Sequence, residues 1–185
     1  MILKIVTSNP GKVREFSEAF SGIGLGFEHV RIPYQEPQVS SLEEVVEAGM
    51  KELRAQGLSD FLIDDSGMFV DHLKGFPGVY SSYVQKTVGN DGVLKLMKGV
   101  SDRSARFECC IGCCVGDEVI TVTGVSPGFI LHEPRGEGGF GYDPIFSPDG
   151  KISFAEMPLD EKNLISHRGR AIGLLKKELS TKGLI

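Results

Sequence analysis

Apolar and polar residues follow first strand spacing and then helix spacing over the first twenty positions. Residues 2–6 alternate around the apolar Leu3 and Ile5, which predicts a buried strand. Residues 11–20 carry Phe16 among apolar positions three to four residues apart, so a helix is predicted directly after that strand.

The same two spacings recur through the middle of the chain. Residues 41–57 open with Ser41-Leu42-Glu43-Glu44, which is typical of a capped helix start, so a second helix is predicted. The apolar run Phe61-Leu62-Ile63 predicts a short strand that ends at Asp64-Asp65. A short helix is predicted over residues 93–97, after a polar stretch rich in glycine.

The remaining elements complete an alternating order. Residues 104–115 and 118–126 predict a hairpin, and residues 163–180 predict a C-terminal helix. The order β-α-β-α-β-α-β-β-β-α favours the α/β class with a mixed sheet. Because no linker, repeat or low-complexity tract interrupts the chain, residues 1–185 are predicted to form a single domain.

Composition narrows the class of protein. The chain has 185 residues, 41% of them hydrophobic, and a formal net charge of −5, which suits one sizeable core and excludes a disordered chain. No apolar run approaches the ~20 residues that span a bilayer, and the first residues lack the basic start of a signal peptide. The negative net charge argues against nonspecific binding to the nucleic-acid backbone. We therefore expect a cytoplasmic protein without a membrane or nucleic-acid partner.

Four cysteines fall in one predicted strand, at positions 109, 110, 113 and 114. The pair Cys110 and Cys113 has the spacing of a zinc or redox motif, which needs both sulfurs at one point. In a strand, residues three apart point to opposite faces. We therefore expect buried thiols that fill the sheet core, kept reduced inside the cell.

The first chemical signal is Thr7-Ser8-Asn9-Pro10-Gly11-Lys12, which follows the first strand and opens the first helix. The N–H groups and dipole of a helix start attract anions, with Asn9 suited to cap the helix and Pro10 to its first position. Lys12 in the first turn would add a positive charge for a phosphate. The segment is not a P-loop, and the alternative is an ordinary capped helix with a surface lysine.

The second signal is Asp64-Asp65-Ser66-Gly67, predicted as a turn at a strand end. Carboxylates at such ends commonly face a ligand crevice, and alternation should direct only one of the two aspartates into it. Carboxylate oxygens suit Mg²⁺, which usually takes one or two protein carboxylates plus phosphates, and Glu36 in a nearby loop offers a second. The alternative is a plain turn, because Asp, Ser and Gly are ordinary turn residues.

Two further segments carry recognition chemistry. In residues 136–144 four glycines let the backbone approach a ligand, while Phe140 and Tyr142 offer flat faces on which a nucleobase can stack. The alternative is a surface loop with one buried aromatic anchor. In residues 161–170 basic and polar groups cluster on the predicted C-terminal helix, where the alternative is a solvated helix surface.

Four of these segments, in this order, resemble a known enzyme family. They are Thr7-Ser8-Asn9-Pro10-Gly11-Lys12, Asp64-Asp65-Ser66-Gly67, Gly139-Phe140-Gly141-Tyr142-Asp143-Pro144 and Ser166-His167-Arg168, accompanied by Phe154-Ala155-Glu156-Met157 and Glu161-Lys162-Asn163. Together they are similar to the inosine/xanthosine triphosphate pyrophosphatases, which remove noncanonical purine nucleotides. The resemblance covers nearly the whole chain.

The resemblance implies an elongated mixed sheet flanked by helices, with two lobes and an active-site cleft between them. It also implies a homodimer and Mg²⁺-dependent hydrolysis of ITP, dITP and XTP to the monophosphate and pyrophosphate. Two alternatives stay open at this point. One is a phosphotransferase that uses the same elements, and the other is a nucleotide-binding regulator without turnover.

The resemblance further implies a role for each matching residue. Asp65 would be the general base or water-orienting group and a metal ligand, and Glu36 would be the second metal ligand. The substrate would contact Thr7, Ser8, Asn9, Pro10, Gly11, Lys12, Ser66, Phe140, Gly141, Tyr142, Asp143, Lys162, His167 and Arg168. Tyr142 departs from the tryptophan of some relatives but keeps an aromatic face.

The groups present favour direct attack by water at the α-phosphorus, because no convincing Ser-His-acid or Cys-His arrangement for a covalent intermediate occurs. Selectivity for the base would come from N–H donors on Lys162, His167 and Arg168. Such donors match the 6-oxo group of hypoxanthine or xanthine and oppose the 6-amino group of adenine.

Overall fold

The fold rests on one mixed sheet. The structure is a computed structural model, and it describes residues 2–20, 25–35 and 37–185. Within these residues the strands are β1 (Ile2–Val6), β2 (Gly26–Val30), β3 (Phe61–Val70), β4 (Ser104–Val115), β5 (Glu118–Ile130) and β6 (Phe146–Ser147). Their order across the sheet is β2-β1-β3-β4-β5-β6.

The α-helices in the described residues are α1 (Pro10–Ala19), α2 (Leu42–Ala55), α3 (Ser81–Thr87), α4 (Gly89–Leu96), α5 (Leu159–Ile165) and α6 (His167–Thr181). Strand β1 pairs in parallel with both β2 and β3, which requires crossover connections, and these contain α1 and α2. The strands from β3 to β6 pair antiparallel. The α/β class and the mixed sheet are therefore confirmed.

Alternation along β4 divides the core between the two faces of the sheet. Cys109 and Cys113 pack on one face with α1 and α6, while Cys110 and Cys114 pack on the other face with α2. All four thiols are free and buried, and burial raises the pKa of Cys109, Cys110 and Cys113 to about 12. The interpretation of the cysteines as core residues that point in opposite directions is confirmed.

A third core cluster lies at the far ends of β3 and β4. It joins Met68 and Phe107 of these strands to Val93 of α4 and to Phe146 and Phe154 of the C-terminal third. Among the described residues, none of the helices is both long and apolar enough to cross a membrane.

The largest error in the predicted elements concerns β3. The prediction ended a short strand at Asp64-Asp65, but the strand runs on through Ser66 and Gly67 to Val70. The strand continues past Asp65 because β4 pairs with β3 along its whole length, a contact between distant parts of the chain. Gly67 can pass close to Gly78 because it has no side chain. A Cβ at this position would lie 2.4 Å from the carbonyl oxygen of Gly78.

The C-terminal prediction was also too simple. One helix was predicted over residues 163–180, but the chain leaves α5 at Ser166 and starts α6 there. The hydroxyl of Ser166 caps α6 by accepting a hydrogen bond from the N–H of Gly169 at 3.1 Å. Ser166, His167 and Arg168 are therefore at the start of a helix rather than one turn inside it.

The capped start of α2 was predicted correctly, whereas the start of α4 and the end of β5 were not. Ser41 caps α2 in a full capping box with Glu44, as the sequence predicted. Helix α4 begins at Gly89, before the predicted residues, and β5 extends four residues beyond the predicted hairpin.

Candidate active site

The turn between β1 and α1 is built as predicted. The side chain of Asn9 accepts a hydrogen bond from the N–H of Gly11 at 2.8 Å, and Pro10 occupies the first helical position. Lys12 is not a solvated surface lysine. Its Nζ lies 2.9 Å from the carbonyl oxygen of Asp64 and 3.2 Å from that residue's carboxylate.

The two neighbouring aspartates have different surroundings. Asp64 is buried between Lys12 and Arg168, and its Oδ2 accepts a hydrogen bond from Arg168 Nε at 3.1 Å. Burial alone would raise the pKa of Asp64, but the charges of Lys12 and Arg168 outweigh burial and lower it. Asp65 is half-buried, and its Oδ1 accepts a hydrogen bond from the N–H of Ser66 at 2.9 Å.

Both aspartates contribute to the wall of one cavity, whereas alternation led us to expect only one. The strand does alternate, since Asp64 turns toward Cys109 and Arg168 on one face. The cavity reaches both faces of β3 at this point, because its wall includes Tyr34, which packs in the core on one face, and His167, whose ring stacks on Phe107 on the other.

A buried network of ion pairs lies beside these aspartates, and sequence reasoning missed its centre, Glu15. The carboxylate of Glu15 lies 2.8 Å from Lys162 Nζ and also binds Arg168. Burial would raise the pKa of Glu15, but the charges of Arg168 and Lys162 prevail and lower it. Helical spacing could have indicated Glu15 as a site residue, because it follows Lys12 by three residues and so shares its face of α1.

Lys162 and Arg168 are each held from more than one side. Lys162 Nζ also lies 2.8 Å from the carboxylate of Asp143, and its two carboxylate partners raise its pKa although burial alone would lower it. Arg168 is 1% exposed and donates from Nη2 to the hydroxyl of Ser66 at 2.8 Å. These contacts within the protein therefore hold the side chains of Lys162 and Arg168 in place.

The glycine-rich loop brings one aromatic face to the cavity. Phe140 is 37% exposed, and its ring centroid lies 5.1 Å from Lys162 Nζ and 5.8 Å from Arg168 Cζ. Gly11 packs so closely that a Cβ there would lie 2.7 Å from the Phe140 ring. Tyr142 touches the cavity but is only 4% exposed, because its ring packs in the core and its hydroxyl donates to the carbonyl of Ser81.

Two amides that sequence reasoning missed hold this loop. Gln85 Nε2 and Asn90 Nδ2 donate to the carbonyl oxygen of Gly141 at 3.0 and 3.1 Å. Gly141 has a positive φ of 63°, a conformation that glycine adopts without strain. These two hydrogen bonds, which we call the Gly141 clamp, therefore fix the backbone next to Phe140.

His167 lies at the other side of the cavity. Its ring stacks on Phe107 with centroids 4.5 Å apart and an interplanar angle of 12°. Burial, with the charges of Arg168 and Lys162, lowers the pKa of His167 well below its usual value, so the imidazole is neutral at neutral pH. Within the described residues its Nδ1 has no hydrogen-bond partner.

These features surround a cavity of about 680 Å³. The predicted site residues that line it are Thr7, Ser8, Asn9, Lys12, Asp65, Ser66, Phe140, Gly141, Tyr142, Asp143, Lys162, His167 and Arg168. Pro10 and Gly11 instead shape the helix start behind it, and the predicted metal ligand Glu36 lies outside the described residues. Wall residues that the sequence did not reveal include Arg31, Tyr34, Ser82, Gln85 and Lys86.

The side chains available as ligands determine which kind of metal ion the cavity can hold. No group of three or more His, Cys, Asp or Glu side chains in the described ranges is placed to hold a metal ion. Asp65 offers a carboxylate at the cavity, while the charge of Asp64 is already neutralised by two cations. A hard divalent ion that takes one or two carboxylates and completes its shell with phosphate oxygens and water fits this arrangement.

Comparison with known proteins agrees with the resemblance seen in the sequence. The sequence model of the Ham1 family matches residues 3–178. A dITP/XTP pyrophosphatase of Thermococcus kodakarensis is 51% identical over 173 residues, which cover 93% of this chain and 94% of the relative. A dITP/XTP pyrophosphatase of Pyrococcus horikoshii is 47% identical over 173 residues, with 93% of each chain covered.

Solved structures give the same result. A HAM1 protein from Coxiella burnetii superposes with a TM-score of 0.82 at 32% identity, covering 98% of this chain and 99% of that one. The Staphylococcus aureus Ham1 protein superposes with a TM-score of 0.81 at 29% identity, covering 98% and 100%. By sequence and by fold, this chain belongs to the Ham1 family.

Proposed function

We propose that this protein hydrolyses noncanonical purine nucleoside triphosphates such as ITP, dITP and XTP to the monophosphate and pyrophosphate. One observation carries the proposal. The start of α1, the carboxylate of Asp65 and the exposed ring of Phe140 all border the same cavity, so groups suited to phosphates, water and a base lie together. The dITP/XTP pyrophosphatases among the relatives support the same reaction.

The phosphate end of the substrate belongs at the turn from Thr7 to Lys12. The N–H groups of the first turn of α1 and the helix dipole favour an anion there. Asn9 keeps the turn in shape through its bond to Gly11, and the pairing of Lys12 with Asp64 keeps its ammonium group at the cavity wall.

Asp65 is assigned as the group that orients or deprotonates the attacking water. The half-buried Asp65 carboxylate borders the cavity, whereas Asp64 is held by ion pairs to Lys12 and Arg168. Water attacking the α-phosphorus expels pyrophosphate, so a base at this point promotes the step in which the new P–O bond forms.

Ham1 enzymes act with a divalent metal ion, and we propose that Mg²⁺ is the ion used by this chain. Asp65 would hold it, with Glu36 as the second carboxylate that the sequence indicates. When bound, the ion supplies charge stabilisation for the phosphoryl oxygens.

The base end is assigned to the exposed ring of Phe140. A purine stacked there lies beside the N–H donors of Lys162 and Arg168, which suits the 6-oxo group of hypoxanthine and xanthine. Stacking itself does not distinguish purines, so these donors carry the selectivity. His167, being neutral, can act there as a donor or as an acceptor but not as a cation.

The identity of the products tests the proposal. ITP incubated with the protein and Mg²⁺ should yield IMP and pyrophosphate, separated by ion-exchange chromatography, and a chelator should stop the reaction. IDP and inorganic phosphate as first products would contradict it and favour a phosphotransferase-like site. Tight ITP binding without turnover would instead indicate a regulator.

We further propose a cytoplasmic homodimer, as the sequence resemblance implies. Sedimentation equilibrium of the purified protein tests the dimer, with a monomer mass at micromolar concentration as the contradicting result.

A further inference from the structure

The charged side chains buried around the cavity balance one another. Three basic groups face three carboxylates, and the members of this set are Lys12, Lys162, Arg168, Glu15, Asp64 and Asp143. With each group in its charged form the set carries no net charge, and Asp65 at the wall adds one negative charge. The interior of the site therefore offers no surplus positive charge to an anion.

The proposed substrate brings about four negative charges, and a divalent ion neutralises two of them. The remaining charge needs cations that no carboxylate already neutralises. Two basic residues in the cavity wall meet this condition, Arg31 and Lys86. Both side chains are exposed, and neither forms an ion pair within the described residues.

The sheet register places Arg31 next to the turn assigned to the phosphates. Strands β1 and β2 run parallel with Val6 opposite Val30, so Arg31 leaves the sheet beside Thr7. The N–H of Thr7 donates to the carbonyl of Val30 at 3.3 Å, and His29 Nε2 lies 2.8 Å from the carbonyl oxygen of Thr7. These contacts tie the segment that carries Arg31 to the start of α1.

Lys86 reaches the cavity from a different element. It lies on α3 four residues after Ser82, so the two side chains share one face of the helix, and both line the cavity. Its neighbour Gln85 is fixed by the bond to Gly141. The cavity wall thus carries one cation without a carboxylate partner on the sheet side and one on the α3 side.

We propose that Arg31 and Lys86 bind the β- and γ-phosphates, the part of the substrate that leaves as pyrophosphate. The inference rests on the proposed function and adds two binding residues to it. The buried network holds the donors assigned to the base, while these two exposed cations attract the triphosphate tail.

Four variants test this, Arg31→Ala and Lys86→Ala with Arg14→Ala and Lys51→Ala as matched controls. Arg14 on α1 and Lys51 on α2 are exposed basic residues outside the cavity wall. We expect each test variant to raise the KM for ITP about tenfold with kcat changed less than about threefold, since each removes one charge-assisted contact. The controls should match wild type. When Arg31→Ala and Lys86→Ala are combined in one protein, its KM should rise less steeply with salt than the KM of wild type.

The binding affinities of the two products, pyrophosphate and IMP, separate a loss of phosphate binding from a general structural effect. Affinity for pyrophosphate, measured by calorimetry with Mg²⁺ and without turnover, should fall in both variants, while affinity for IMP stays within about twofold. Unchanged pyrophosphate affinity would overturn the inference, and so would an equal loss for IMP. Because calorimetry needs no catalysis, this result is independent of whether wild type releases pyrophosphate from ITP.

Discussion

Glu15 and Lys162 are 147 positions apart in the sequence, and their charged atoms lie 2.8 Å apart in the interior. The same carboxylate also binds Arg168, so one residue of α1 joins α5 and α6. Both cations lie within 6 Å of the Phe140 ring centroid. Glu15 therefore sets the position of the donors that we assign to base recognition.

Replacing Glu15 by Gln should destabilise the protein strongly. The change keeps the volume but leaves two buried cations with less negative charge, and breaking a buried pair from one side typically costs about 3–5 kcal/mol. Urea unfolding measures the loss, with Glu18→Gln on the exposed side of α1 as the control. A loss below about 1 kcal/mol, the range of exposed pairs, would mean that the network contributes little to stability.

Asp64 and Asp65 should respond differently to the same substitution. Asp65→Asn should lower kcat by at least about 10²-fold with an unchanged melting temperature, because it removes a general base at the cavity. Asp64→Asn should lower the melting temperature, because Lys12 and Arg168 lose their shared carboxylate. Near-normal turnover by Asp65→Asn would assign the base to another residue.

The sequence predicted the elements that local chemistry determines. The cap at Asn9, the capping box at Ser41 and the opposed cysteines of β4 all follow from neighbours within four residues, and all are confirmed. The path of β3 through Ser66 and Gly67 does not follow from local chemistry, because residues typical of turns are held in a strand by pairing with β4. Long-range pairing overrides local preference there.

The candidate site shows the same division. Four short segments allowed most of the cavity wall to be predicted, but Glu15 and the clamp of Gln85 on Gly141 were missed. Each of these contacts joins residues more than fifty positions apart. A single sequence gives no signal for such pairs beyond the helical spacing between Lys12 and Glu15.

Arg168→Lys should reduce the preference for ITP over ATP. Lysine keeps a charge for Asp64 and Glu15 but lacks the planar set of donors that can also face a 6-oxo group. We expect kcat/KM for ITP to fall about tenfold or more and that for ATP to change little. Arg170→Lys, exposed on the same helix, is the control, and an unchanged ITP/ATP ratio would show that Arg168 serves the phosphates or the fold.

His167 should make the protein less stable in mild acid. Its folded-state pKa lies well below that of the unfolded chain, so the unfolded state binds more protons once the pH falls below about 6.5. Stability is then unaffected above that pH and declines below it, at up to about 1.4 kcal/mol per pH unit. His167→Gln should flatten the decline between pH 6.5 and about pH 5.5, measured by urea unfolding.

The exposed His72→Gln is the matched control for this pH dependence and should decline as wild type does. If His167→Gln keeps the full acid sensitivity, the imidazole is not held neutral by its surroundings.

Hydrolysis of ITP in water enriched in ¹⁸O tests the central claim most directly, because it reports which phosphorus the water attacks. If the cavity places the α-phosphorus near Asp65, mass spectrometry will find the heavy oxygen in IMP and none in pyrophosphate. Heavy oxygen in pyrophosphate, or in inorganic phosphate released together with IDP, would contradict the account.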